Sequence, residues 1–201
     1  MSSDLHTFLR SRRSVRHYLP QKVPEEVLLR MLETATYAPS AHNRQPWRLV
    51  ILRSLEGRWR LAEAISNKLK ADMVANGATP ADIVARVERT IRRTNEAPVV
   101  ILLCRDVTEV DAQTDTAQKE AEAEMGRQSV AACGLQLLLA AEAEGLSGTW
   151  ICWPLFAQNE TRQALDLPTE WEPQGMLFLG YPTDHPEPPA RKPISEIVRY
   201  L

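Results

Sequence analysis

Residues 129–145, SVAACGLQLLLAAEAEG, constrain the fold more than any other stretch of this chain. Small and apolar side chains spread around most of a helical circumference here, whereas an ordinary surface helix carries a single apolar stripe. Such a helix must be covered on nearly every side. It is expected to run from about Thr116 to Glu144, with Gly145 as its stop. The chain has 201 residues, the size of one domain spanning 1–201. Part of the cover is therefore expected to come from a partner subunit.

The remaining patterns supply what this helix packs on. PVVILLC (98–104) is short and wholly apolar, the mark of a strand buried on both faces. WRLVILR (47–53), GTWICW (148–153) and QGMLFLGYP (174–182) are further strand candidates. Asp4 is positioned to cap a short helix, LHTFLRSR, and Pro24 with Glu25 and Glu26 opens another that Pro39 closes. A third helix is expected from Leu55 to about Asn76, with Trp59, Leu61, Ile65 and Leu69 as its apolar members. Thr79 caps a fourth, PADIVARVERTIRRTNE. The Pro-rich end, residues 183–201, reads as an extended arm outside the sheet. Helices and strands interleave without a regular βαβ rhythm, so the expected class is α+β, a small sheet sandwiched by helices.

Composition narrows the chemistry. A formal charge of −2 gives no general attraction to nucleic acid or anionic lipid. Cys104, Cys133 and Cys152 are far apart and form no C-x-x-C pair, and the four histidines lack metal-ligand spacing. Neither zinc nor a disulfide framework is expected, and Cys133 and Cys152 read as small core residues. No signal-peptide core and no 18-residue apolar run occur, which points to a soluble, cytoplasmic protein.

Two features suggest an anionic ligand. Arg10, Arg12, Arg13 and Arg16 fall within seven residues, with Ser14 among them, and their guanidiniums could converge on a phosphate. A second basic pair, Arg191 and Lys192, lies in the terminal arm and could share that anion if the arm folds back. Neither G-x-x-x-x-G-K-[ST] nor G-x-G-x-x-G is present, so arginines would stand in for a glycine cradle. The stretch APSAHNRQPWRLVIL (38–52) puts Ser40, His42, Asn43, Arg44 and Gln45 at the mouth of a core strand. That is either a well-capped turn or a loop built to meet a polar ligand edge.

Taken in order, SRRSVRHY, APSAHNRQPWRLVIL, EGLSGTWICWPLF, LGYP and ARKP resemble the nitroreductase superfamily of FMN-dependent oxidoreductases over essentially the whole chain. AHNRQPW is similar to a short subgroup, the flavin domain fused to the ligase that adds glutamate to a deazaflavin coenzyme. The resemblance implies a small, mostly antiparallel sheet and an intertwined homodimer with FMN at the subunit interface. It places Arg12, Arg13, Ser14 and Arg16 on the flavin pyrimidine edge, ribityl chain and phosphate, and Arg191 of the returning arm on the phosphate. Pro39, Ser40, Ala41 and Asn43 match the loop lent by the other subunit, with Gln45 beside them. Trp150, Ile151, Cys152 and Trp153 match the strand whose backbone lies along the isoalloxazine.

No side-chain catalytic residue is implied, because the flavin performs the chemistry. Arg12 is assigned to the pyrimidine edge, where negative charge gathers on reduction. With no Rossmann fingerprint, NADH or NADPH would share one pocket with a small organic acceptor and react in ping-pong order. Cys152 and Trp153 replace an acid-glycine pair of nitroaromatic-reducing relatives, and Trp150 is bulkier than the usual proline. Trp150 and Trp153 could therefore narrow the pocket or simply pack in the core. Two other readings remain: a flavin enzyme with a dedicated substrate (reduction of a deazaflavin-coenzyme precursor, or cleavage of flavin itself), and a cofactor-less dimeric binding protein.

Overall fold

The computed structural model describes residues 2–201. The chain begins with α1 (Ser2–Ser11) and α2 (Glu25–Thr36), then a single 3₁₀ turn at Ala41–Asn43 and strand β1 (Trp47–Leu52). An α-hairpin follows, α3 (Leu55–Ala75) and α4 (Pro80–Glu96), before β2 (Val99–Asp106) and the long α5 (Thr116–Ala143). Next come β3 (Ser147–Ile151), the short α6 (Trp153–Phe156) and α7 (Gln158–Ala164), β4 (Trp171–Gly180), and finally α8 (Ile194–Ile197) in the terminal arm.

Local chemistry explains most boundaries. Side-chain oxygens of Ser54, Thr79 and Asp115 accept from the backbone N–H of Gly57, Asp82 and Gln118, capping α3, α4 and α5. Pro24 occupies the N-cap position of α2. Gly145 ends α5 at φ +73°, a left-handed turn that returns the Leu146 N–H to the Ala141 carbonyl at 2.9 Å. Asp4 lies inside the first turn of α1 instead of capping it, because that helix starts at Ser2.

The four strands form one sheet in the order β1-β2-β4-β3, antiparallel throughout. Central β2 is buried along its whole length, as its unbroken apolar run requires. Alternate side chains feed two cores. Val99, Ile101 and Leu103 join Leu177, Leu179 and Trp150 beneath α2 and α5, while Val100, Leu102 and Cys104 join Met176, Phe178 and Ile151 beneath α3 and α6. Fully burying each such aliphatic contributes roughly 1.5–3 kcal/mol. A register shift between Leu103 and Cys104 accommodates Pro173 in β4, where a regular ladder would miss its N–H.

The single chain covers α5 incompletely. Val130, Cys133, Leu137 and Ala141 are buried, yet Ala131 is exposed and Leu135 stands 52% exposed. Beyond Pro182 the arm is exposed throughout, with Ile194, Ile197, Val198, Tyr200 and Leu201 all open to solvent. Among the described residues, no helix is long and apolar enough to cross a membrane.

Candidate functional site

Strand β3 is an edge strand, and residues 14–19 cover only its beginning. Ser14 bridges Gly148 in parallel, and the Val15 N–H donates to the Gly148 carbonyl at 3.2 Å. The segment is pinned further along. The Tyr18 hydroxyl lies 2.7 Å from the Val15 carbonyl and 3.0 Å from that of Phe178, and burial raises its pKa above the ordinary phenol value. Leu19 N–H donates to Tyr181 and Thr183 N–H to His17, so the start of the C-terminal arm lies beside the arginine segment. Among the described residues, nothing pairs with the outer edge of β3 from Trp150 to Ile151.

Against that open half sits a shallow cavity of about 370 Å³, lined by Arg12, Ser14, Ala131, Leu135, Leu138 and Trp150. It joins two of the motif residues from the N-terminus, the uncovered face of α5 and the β3 strand in one place. The arginines divide by role. Arg13 donates to the carbonyls of Arg10, Ser11 and Arg12, finishing the end of α1, so its guanidinium serves the helix. Arg12 is half-buried and Arg16 exposed, and neither has a carboxylate partner among the described residues.

Arg93 of α4 lies within electrostatic reach of Arg16, although nothing in the sequence singled it out, and neither of the two lines the cavity. Burial lowers its pKa first, and the positive charges of Arg89, Arg16, Arg92 and Arg86 lower it further. The available signal was a face of α4: Arg86, Arg89 and Arg93 are spaced by three and four residues, and Arg89 and Arg93 have no acid at i±4. Elsewhere arginines meet carboxylates: Arg30 with Glu144, Arg48 with Asp106 and Glu109, Arg60 with Asp166, Arg105 with Glu172. Of Arg12, Arg16 and Arg93, Arg12 lines the cavity, and positive charge left uncompensated there suits an anionic ligand.

The polar loop lies at the other end of α2. Pro39, Asn43 and Gln45 are exposed, Ser40 and Ala41 half-buried, and Trp47 buried as the strand's anchor. His42, Asn43 and Gln45 all adopt positive φ, 52°, 53° and 52°, although none is glycine. The Ala41 N–H donates to Ser129 Oγ on α5 (3.3 Å), the Gln45 N–H to Ser40 Oγ (3.1 Å), and Arg44 pairs with Asp111. Within one chain this loop does not line the Arg12 cavity. Arg191 does not either; it is exposed in the arm and makes no hydrogen bond or ion pair among the described residues.

Two sequence-based expectations need correction at the end of β3. The strand stops at Ile151; Cys152 is the N-cap of α6 and Trp153 its first residue. Trp153 turns into the second core, meeting Phe178 edge-on with ring centroids 6.1 Å apart. Cys152 is exposed and not a core residue, because the chain leaves the sheet there. No cluster of His, Cys, Asp or Glu able to hold a metal occurs among the described residues.

Comparison with known proteins agrees with this architecture. The chain is 30% identical to an NADH dehydrogenase of Thermus thermophilus, covering 97% of this chain and 95% of that one. The crystal structure of a BluB-like flavoprotein from Clostridium difficile superposes with a TM-score of 0.81 at 26% identity, covering 98% of both chains. A protein from Desulfovibrio desulfuricans solved in complex with FMN has the same fold, with a TM-score of 0.73 at 22% identity over 98% of this chain and 96% of that one. The family description "Nitroreductase family" matches residues 9–181, and the chain belongs to that family.

Proposed function

We propose that the chain is an FMN-dependent oxidoreductase, working as a homodimer that takes a hydride from NADH or NADPH and delivers it to a small organic acceptor. One observation carries this reading: the Arg12 guanidinium, without a carboxylate partner among the described residues, lines a cavity with Ser14 at the half-covered edge of β3, beside the exposed α5 surface around Leu135. The family membership, the name of the Thermus relative and the FMN-bound structural neighbour support it.

Bound FMN would supply the two-electron chemistry. The chain's own residues hold and exclude. Ser14 offers a hydroxyl for a phosphate, at a position fixed by the Ser14–Gly148 bridge, and Arg12 a planar fork for the pyrimidine edge. Arg16, two residues beyond Ser14, and Arg93, whose charge interacts with it, would add positive potential around such an anion. A second copy laid on Ala131 and Leu135 would shut out water and bring its own strained loop, residues 39–45, and its arm with Arg191, over the crevice. The open β3 edge offers backbone groups without introducing a side-chain acid or base.

The test is direct. Purified protein should absorb near about 450 nm, release FMN on denaturation, and be bleached anaerobically by NADH or NADPH in a step independent of the acceptor. Arg16→Ala and Arg191→Ala should each weaken FMN binding roughly ten- to a hundredfold, the worth of one charge-assisted contact. A colourless preparation that refuses added FMN would overturn the proposal.

A further inference from the structure

A second and larger cavity lies on the opposite face of the sheet. It measures about 500 Å³ and opens between α3, α4 and α6. Its Ile65 and Trp153 belong to the core beneath α3, whereas Trp150 and Leu138 of the Arg12 cavity belong to the core beneath α5. The two cavities are therefore separated by the sheet.

The walls are Leu69 and Met73 of α3 with Trp153 and Phe156 of α6, giving two aromatic surfaces and a deformable thioether. Phe156 is 72% exposed at the mouth, an unusual position for so large an apolar ring. Its volume falls within the range of small-molecule sites, roughly 300–1,000 Å³. The rim is charged. Lys68 is already paired with Asp72, so the two cancel. Arg86 forms no ion pair among the described residues; Asp82, one turn earlier on α4, accepts from the Thr79 hydroxyl at 2.7 Å instead. The surplus charge at the opening is positive.

We infer that this cavity binds a small aromatic anion, its ring or ring pair between Trp153, Phe156 and Met73 and its carboxylate, sulfonate or phosphate on Arg86. Aromatic walls give ring affinity without regard to charge, and one unpaired guanidinium adds the preference for an anion. This site stands whether or not FMN occupies the crevice at β3.

Calorimetric titration of the purified protein with 2-naphthoate and its neutral isostere 2-naphthamide tests it. Naphthoate should bind roughly tenfold more tightly than naphthamide, the low end for one charge-assisted contact. Arg86→Gln should erase that preference and leave naphthamide binding unchanged. Ala75→Trp fills the cavity from an exposed last helical position that tolerates bulk, and should weaken both ligands by about tenfold or more. Flavin content, read from absorbance, should be the same in both variants and wild type, which separates this result from the fate of the other crevice. Equal affinity for the two ligands, no binding of either, or undiminished binding by Ala75→Trp would overturn the assignment.

Discussion

The indole of Trp150 rests on Gly134 of α5, so closely that a β-carbon on that glycine would lie inside van der Waals contact with the six-membered ring. Gly175 of β4 underlies the other end of the ring, where a β-carbon would come 3.1 Å from Nε1. Trp150 is thus wedged between helix and sheet and forms the back wall of the Arg12 cavity. Gly134→Ala should cost about 1–3 kcal/mol through overpacking and push the indole toward the cavity. Chemical denaturation measures the first, and a shift in tryptophan emission the second; an unchanged midpoint would show that the indole can move aside freely.

The polar loop stores strain. Three of the four residues 42–45 hold left-handed backbone angles without being glycine, each costing on the order of 1 kcal/mol. Ser129, Ser40 and Asp111 hold it from three sides. Gln45→Gly should therefore raise thermal stability, by about 0.5–1 kcal/mol, while weakening FMN binding severalfold because the loop is no longer fixed in shape. Loss of stability on this change would mean that the Gln45 backbone is not strained.

Much of the architecture was legible in the residues. The unbroken apolar run of β2 and the all-round apolarity of α5 announced a buried strand and a central helix, and the Thr79 cap set the start of α4. The end of β3 was not legible, because Cys152 and Trp153 continue the apolar pattern and only backbone direction shows that the chain has left the sheet. Short α7 was missed for the opposite reason: QNETRQA has no apolar periodicity and relies on β4 and α3 for support. At the site, Arg12 and Ser14 were legible as a local motif. Arg93 lies 77 residues from Arg16 in the chain, and the pairing of two like charges has no local signature.

The three thiols should separate cleanly. Burial pushes Cys104 and Cys133 up to about 12, whereas Cys152 is exposed at the start of α6. Only the thiolate attacks disulfide reagents, so at pH 8 native flavin-free protein should release one equivalent of thionitrobenzoate quickly and the remaining two only on unfolding. FMN loading should slow the fast phase if the cofactor lies along β3. Three fast equivalents would contradict the packing of both cores.

Asp106 ends β2 and should make stability depend on acid. Burial raises its pKa, but the Thr108 hydroxyl at 2.6 Å, the Thr108 N–H at 3.0 Å and Arg48 at 2.9 Å outweigh burial and hold it below the ordinary value. A depressed carboxylate contributes stability that is present above its unfolded pKa, about 4, and lost as pH falls through the lowered folded value. Asp106→Asn should cost roughly 1–3 kcal/mol at pH 7 and flatten the stability profile below pH ~4. Denaturation midpoints at several pH values check both; parallel profiles for the two proteins would remove Asp106 from the acid response.

Arg16 and Arg93 should oppose folding and favour binding at the same time. In the free chain their guanidiniums, with Arg89, Arg92 and Arg86 nearby, repel one another, and Arg93 is also partly desolvated. Removing one charge relieves that repulsion, which in partly exposed surroundings is worth up to about 1 kcal/mol. Arg93→Gln should therefore melt higher than wild type when both are flavin-free. With excess FMN the order should reverse, because wild type gains stability by mass action in proportion to its tighter binding. Thermal melts of the two proteins, each with and without FMN, give the crossing directly. A variant that melts lower in both conditions would make Arg93 an ordinary packing residue; one that melts higher in both would place the cofactor away from this pair.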